Sequence, residues 1–141
     1  MAVCLKRAYE KPSASDGVRI LVDRLWPRGL SKNAARIDLW LRDLAPSTGL
    51  RRWFHARPQA WLAFRKKYLE ELAQPEAAAA LAELHQVARR RARVALIFSS
   101  RSVERNNAVV LRELLEGMRK PPSSSGPAPA ARGKARAIRS R

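Results

Sequence analysis

Arg93 to Phe98, RVALIF, constrains the fold more than any other stretch. Val94 to Phe98 are all apolar, and helical patterns flank the run on both sides. A strand with one wet face would alternate. This one should be covered on both faces, as in a parallel or mixed α/β sheet packed by helices.

The other elements follow from that frame. Val3 to Ala8 reads as a first strand, PSASDG over Pro12 to Gly17 as a turn, and Arg19 to Arg24 as a second strand. Trp26 to Leu30 is loop because Pro27 and Gly29 interrupt regular structure, and Ser31 can cap a short helical turn. Ile37, Leu39 and Leu41 alternate with Asp38, Trp40 and Arg42, predicting a third strand that ends before Ala45-Pro46. Ser47 or Thr48 serves as N-cap for a helix over Leu50 to Phe54. Trp61, Phe64, Tyr68 and Leu72 put one aromatic face on a helix from about Pro58 to Ala73, and that face is core. Pro75 and Glu76 open a second long helix through Ala77, Leu81, Leu84 and Ala88 to Arg89-Arg90-Arg91, cations that suit a helix C-terminus. A last helix starts near Val103 or Asn106 and runs to Met118, with Ala108, Leu111, Leu115 and Met118 inward. The expected architecture is α/β: a small single domain over 1–120, with a mixed or parallel sheet flanked by helices. PPSSSGPAPAARGKARAIRSR over 121–141 cannot supply a core and reads as a disordered, flexible basic tail.

Charge matters for partners. The chain is +17, from 29 basic and 12 acidic residues; the tail holds five of the basic ones, leaving +12 before it. Such a field favours phosphates, nucleic acid or acidic partners, although scattered solvated arginines would give the same excess. No stretch approaches the roughly 20 apolar residues that span a bilayer, and MAVCLKRAYE has no signal-peptide pattern, so a cytoplasmic setting without membrane is expected. Cys4 is the single cysteine, which excludes an internal disulfide, and with only His55 and His85 a transition-metal site built from protein ligands is not expected. No pattern names a cofactor. Homodimerisation is left open, with no interface motif to support it.

Two stretches carry the chemistry. Ser99-Ser100-Arg101-Ser102 follows the apolar strand and leads into Asn106-Asn107 and the last helix, the place where open α/β sheets present unpaired donors to ligands. Its hydroxyls and Arg101 suit an anion, but the glycines and lysine of a phosphate loop are absent; helix capping by the serines is the structural alternative. The second is Asp23, Arg24, Trp26, Arg28 and Lys32, with Asp43 and Ser47 further along. Arginines grip carboxylates or phosphates with two directed bonds, Trp26 can wall a pocket, and Asp23 can orient an arginine or act as acid/base. An Asp23–arginine pair that merely fastens the loop is the alternative. Asp23, Asp43 and His55 are the acid/base candidates, whereas His85 is expected on a solvent face and Cys4 as a small buried side chain.

LKRAYEKPSASDG, RILVDRLWPRGLSK, LWLRDLAPSTGLRRWF and ERNNAVVL, in that order, resemble the bacterial YeaO-like family, domain of unknown function family 488, over about Val3 to Leu115. The resemblance implies a small cytoplasmic α/β protein and names an architecture rather than a reaction. Lys6, Arg7, Tyr9, Asp16, Gly17, Asp23, Arg24, Trp26, Pro27, Arg28, Gly29 and Lys32 match its first two blocks. Trp40, Asp43, Pro46, Ser47, Arg52, Trp53, Phe54, Asn106 and Asn107 match the later ones. Members carry an alanine, lysine and aspartate pattern after the final strand. Here Ser99 to Ser102 replaces it, and a carboxylate at the position of Ser102 is missing.

Two functions are therefore expected from the sequence. The first is binding of a small anionic or phosphorylated ligand between the 23–32 and 99–107 loops, through Arg24, Trp26, Arg28, Lys32, Ser47, Arg52, Ser99, Ser100, Arg101, Asn106 and Asn107, with enzymatic turnover undecided. The second is a nucleic-acid-binding or regulatory module that uses the basic surface and tail.

Overall fold

A computed structural model describes residues 2–119. Strand β1 (Ala2–Arg7) is followed by a 3₁₀ turn (Ala14–Asp16), strand β2 (Val18–Leu21), the one-turn helix α1 (Lys32–Ala35) and the two-residue strand β3 (Leu39–Trp40). A second 3₁₀ turn (Arg42–Leu44) leads to α2 (Thr48–Ala56), α3 (Trp61–Leu72), α4 (Pro75–Arg90), β4 (Arg93–Phe98) and α5 (Asn107–Arg119). The strands form one parallel sheet in the order β1-β4-β2-β3. RVALIF is thus a central strand, and Val94 to Phe98 are all buried. The α/β class holds; the tail and the inward placement of Met118 lie outside what the structure describes.

The two faces are covered differently. Val94, Leu96 and Phe98 point into a core with Phe64, Tyr68, Leu72, Leu84, Leu111 and Leu115, contributed by α3, α4 and α5. Ala95 and Ile97 point the other way, where Leu21 and Ala8 pack with Trp26, Leu30, Ile37 and Trp40. The second cover is the long β2–β3 connection with its single helical turn, where the sequence predicted helices on both sides. An indole can cover as much sheet as a turn of helix, and Trp26 packs edge-on to Trp40 at 5.5 Å between ring centroids.

Three sequence expectations are corrected. The alternating segment yields only Leu39–Trp40 as strand, because the 3₁₀ turn at Arg42 follows at once; ladder bonds continue from Asp38 N to Arg19 O (2.8 Å) and from Leu41 N to Leu21 O (3.0 Å). Strand β2 ends at Leu21, although the Val22 amide still donates to the Ile97 carbonyl at 3.1 Å. Cys4 is exposed, since β1 is an edge strand. Local signals otherwise operate as expected: the Ser31 and Ser47 hydroxyls accept from the Ala34 and Leu50 amides and cap α1 and α2.

At the amino end of the sheet, Asp16 is buried between two cations. Lys6 Nζ lies 2.9 Å from one carboxylate oxygen and Arg19 Nη1 lies 2.6 Å from the other. Arg19 also donates twice to the Ala35 carbonyl, so this buried charge group ties β1, β2 and α1 together. Gly17 follows with φ +73°, and a β-carbon added there would run into the backbone of Arg93.

Candidate functional site

The carboxyl ends of β2 and β4 meet at Asp23. Its side chain turns back over the neighbouring strand, and Oδ2 accepts from the Ser99 amide at 2.8 Å. Asn107 on the first turn of α5 donates to the Val22 carbonyl at 2.9 Å and, more loosely, to Asp23 Oδ1 at 3.3 Å. Burial pushes the Asp23 carboxyl above its ordinary value. The Ser99 and Asn107 donors and the positive charge of Arg51 oppose that rise without cancelling it. A carboxyl tuned in this direction, at the mouth of a parallel sheet, can hold or release a proton closer to neutrality than a solvated one.

Beside it lies a second polar layer. Arg24 Nη2 donates to the Ala45 carbonyl at 3.1 Å, while Arg24 Nε is buried with no hydrogen-bond partner among the described residues. Tyr68, fully buried on α3, donates its hydroxyl to the Leu44 carbonyl. Its phenol is held well above the usual range by burial first, then by the Asp23 and Glu71 carboxylates, so Tyr68 is a neutral donor. Ser47 donates its amide (2.8 Å) and its hydroxyl (2.5 Å) to the two Glu71 oxygens while capping α2.

The loops above the sheet are fastened together. Arg7 donates to the Ser100 carbonyl at 2.9 Å and the Ser99 carbonyl at 3.0 Å, and its guanidinium lies 5.2 Å from the Tyr9 ring. Tyr9 in turn donates to the Arg28 carbonyl at 2.9 Å. Trp40 Nε1 donates to the Asp23 carbonyl at 2.8 Å, with Arg42 stacked 4.0 Å over its ring. Three loops, after β1, β2 and β4, therefore form one surface at one end of the sheet.

The structure brings Asp23, Ser99 and Asn107 into contact and sets Arg24 on the same layer. It uses other sequence-predicted residues differently. Asn106 caps α5: its Oδ1 accepts from Val109 N (3.1 Å) and its Nδ2 donates to Ser102 O (2.7 Å). Ser102 and Ser100 support the same turn through the Arg105 and Ser102 amides. The indole N–H of Trp26 is committed to the Leu30 carbonyl at 2.6 Å. Arg28, Lys32, Asp43, Arg52, His55 and Arg101 have exposed side chains. His85 is half-buried where a solvent face was expected, and burial lowers its pKa, with Arg89 adding to the effect.

Sequence reasoning missed Arg51, Arg7 and Tyr68 as contributors. Arg51 and Arg52 are neighbours on a helix and project about 100° apart, so only one can influence Asp23, and no local pattern says which. Tyr68 falls on the aromatic face of α3, and its spacing alone does not mark the hydroxyl. The only cue for it was that a buried tyrosine needs a partner for its O–H.

Two open concavities are present, and the first reaches the polar layer at Glu71. One, about 410 Å³, is bordered by Gly49, Trp53, Lys67, Glu70 and Gln74 between α2 and α3. The other, about 500 Å³, is at the amino end of the sheet beside Gly17, Asp38, Arg91 and Arg93. Neither is lined by Asp23 or Arg24, the raised carboxyl and the buried guanidinium. Among the described residues no group of three or more His, Cys, Asp or Glu side chains is placed to hold a metal ion, and no helix is long and apolar enough to cross a membrane.

Comparison with known proteins agrees with the motif blocks. "Uncharacterized protein Rv3073c" of Mycobacterium tuberculosis is 42% identical over 115 residues, 82% of this chain and 94% of that protein. "Uncharacterized protein YeaO" of Escherichia coli is 39% identical over 118 residues, 84% of this chain and 100% of that protein. No solved structure matches. A family model described as "Inactive DUF488-N3 subclade" matches residues 2–128, and with relatives this similar over most of its length the chain belongs to that family.

Proposed function

We propose that this protein binds a small anionic or phosphorylated ligand at the carboxyl ends of β2 and β4, and that it does so without turnover, in the cytoplasm. The observation that carries the reading is Arg24 Nε, a buried cationic donor without a hydrogen-bond partner among the described residues. Buried donors of this kind are rare in native proteins and costly, and an acceptor oxygen from a ligand would satisfy it. Arg51 adds positive charge near Asp23, and Arg28 stands exposed on the rim loop. Asp23, already accepting from Ser99 and Asn107, fixes the loop geometry in this scheme. Binding without turnover is supported by the word "inactive" in the subclade's description and by the Ser99 to Ser102 loop, which has no carboxylate.

The test is thermal-shift and calorimetric titration of the full chain with inorganic phosphate and a panel of phosphomonoesters and carboxylates, beside Arg24→Lys, Arg51→Ala and Arg28→Ala. Lysine keeps the charge at position 24 and loses the directed fork. A true ligand should bind Arg24→Lys at least about tenfold more weakly, the size expected for one lost charge-assisted hydrogen bond. Unchanged affinity in Arg24→Lys, or no response to any anion, would overturn the reading.

A further inference from the structure

Four large apolar side chains stand out as exposed among the described residues: Tyr9 (45%), Leu25 (67%), Leu62 (77%) and Val103 (55%). Single exposed apolar residues need no explanation, but ones carried on loops that are hydrogen-bonded to one another can act together. Leu62 is alone on α3. The other three sit one each on the loops that follow β1, β2 and β4, the loops already tied together through Arg7, Tyr9 and Asp23.

Charge on the same loops is one-sided. Over 7–11, 22–32 and 99–107 the chain carries seven basic residues against three acidic ones, and one of the acids, Asp23, is turned inward. Arg28, Lys32, Arg101 and Arg105 are exposed. The surface therefore combines aliphatic anchors with a cationic rim, and its internal hydrogen bonds hold it ready, which lowers the entropy lost on docking.

We propose that these three loops form a docking surface for an acidic segment of a partner protein, with apolar side chains of that segment seated on Leu25, Val103 and Tyr9 and its carboxylates paired with the arginine rim. A protein partner fits better than a single-stranded nucleic acid. Bases stack on open aromatic faces, whereas here Trp26 is packed on Trp40, Trp40 lies under Arg42 and Tyr9 under Arg7. Aliphatic side chains are the most open groups, and they reward apolar side chains rather than base planes. The docking surface shares Arg28 with the anion site, but its apolar anchors Leu25 and Val103 take no part in anion binding.

The test uses the full chain and three labelled probes at near-physiological salt: a synthetic acidic peptide with Leu and Phe anchors, the same peptide with the anchors replaced by Ser, and an oligo-dT of matched charge. The anchored peptide should bind at least about tenfold tighter than its Ser version, on the scale of burying a few apolar side chains. Leu25→Ser/Val103→Ser should erase that preference while leaving binding of the Ser peptide and the melting temperature unchanged. Equal binding of the two peptides, tighter binding of oligo-dT, or a preference that survives in the double variant would each overturn the proposal. The inorganic phosphate titration run on the same variant separates the two sites. An unchanged phosphate response in Leu25→Ser/Val103→Ser, with loss in Arg24→Lys, is expected. A phosphate response absent from every form would remove the anion site and leave the peptide result to stand or fall by itself.

Discussion

Gly17→Ala is the substitution whose cost the backbone predicts most directly. Gly17 has φ +73° and ψ −139°, a region almost closed to residues with a side chain, so the conformational part alone is worth about 1–3 kcal/mol. A methyl group there would lie 2.2 Å from the Arg93 carbonyl oxygen and 2.6 Å from its carbon. Ordinary contact is about 3.5 Å, so backbone must move by more than about 1 Å where β2 joins β4, since Val18 is paired with Val94. Overpacking of that kind adds about 1–3 kcal/mol, for a total of roughly 4 kcal/mol. Gly29→Ala is the matched control. It has φ +76°, yet nothing lies within 4 Å of the added atom, so only the conformational cost of about 1–2 kcal/mol remains. Urea unfolding of both variants tests the difference: the Gly17→Ala midpoint should fall by at least about 1 M relative to wild type with an unchanged slope, and Gly29→Ala by markedly less. Equal losses in the two variants would refute the steric argument.

Other perturbations report on the buried charges. Because burial raises the Asp23 carboxyl above 3.8, the folded state holds the proton more tightly than the unfolded chain; this stabilisation is full below pH 3.8 and is lost as pH rises through the folded value. The melting temperature of wild type relative to Asp23→Asn should therefore decline as pH increases above 3.8, and a flat difference would contradict the assignment. Asp16 behaves oppositely: burial alone would raise it, but the Lys6 and Arg19 donors and the Ser13 amide outweigh burial and lower it. Asp16→Asn should cost about 3–5 kcal/mol at pH 7, and the cost should shrink as acid protonates the wild-type carboxylate below 3.8. Tyr68→Phe removes the donor to the buried Leu44 carbonyl and should cost about 1–3 kcal/mol by chemical denaturation, with no change in the helical circular-dichroism spectrum.

The parts legible in the sequence were those set by local physics. Val94 to Phe98 have no polar interruption, so burial on both faces followed; Ser47 and Pro75 marked helix starts through their own chemistry. Bringing the 23–32 and 99–107 loops together followed from strand ends in a parallel sheet, and Asp23 does meet Ser99 and Asn107. Strand order was not legible. An apolar alternation such as Val3-Cys4-Leu5 does not distinguish an edge from a centre, which is why Cys4 was expected inside and is outside. Nor does composition show that a tryptophan-bearing connection, rather than helices, would cover the second face, or that Asn106 and Ser102 would be spent on capping.

The strand order also dictates a timetable during synthesis. Among the described residues strand β1 pairs only with β4, and Ala2 sits opposite Arg93, so once made, β1 must wait for about ninety further residues before its partner exists. At roughly 5–20 residues per second that wait lasts on the order of 5–20 s. Throughout it β1 has no sheet partner, and β2 has only the two-residue β3. The helices α2 to α4 can gather locally, but the sheet closes in one late event, when RVALIF inserts between strands made long before it. This molecule should therefore be most vulnerable to misassociation as a nascent chain truncated just before Arg93.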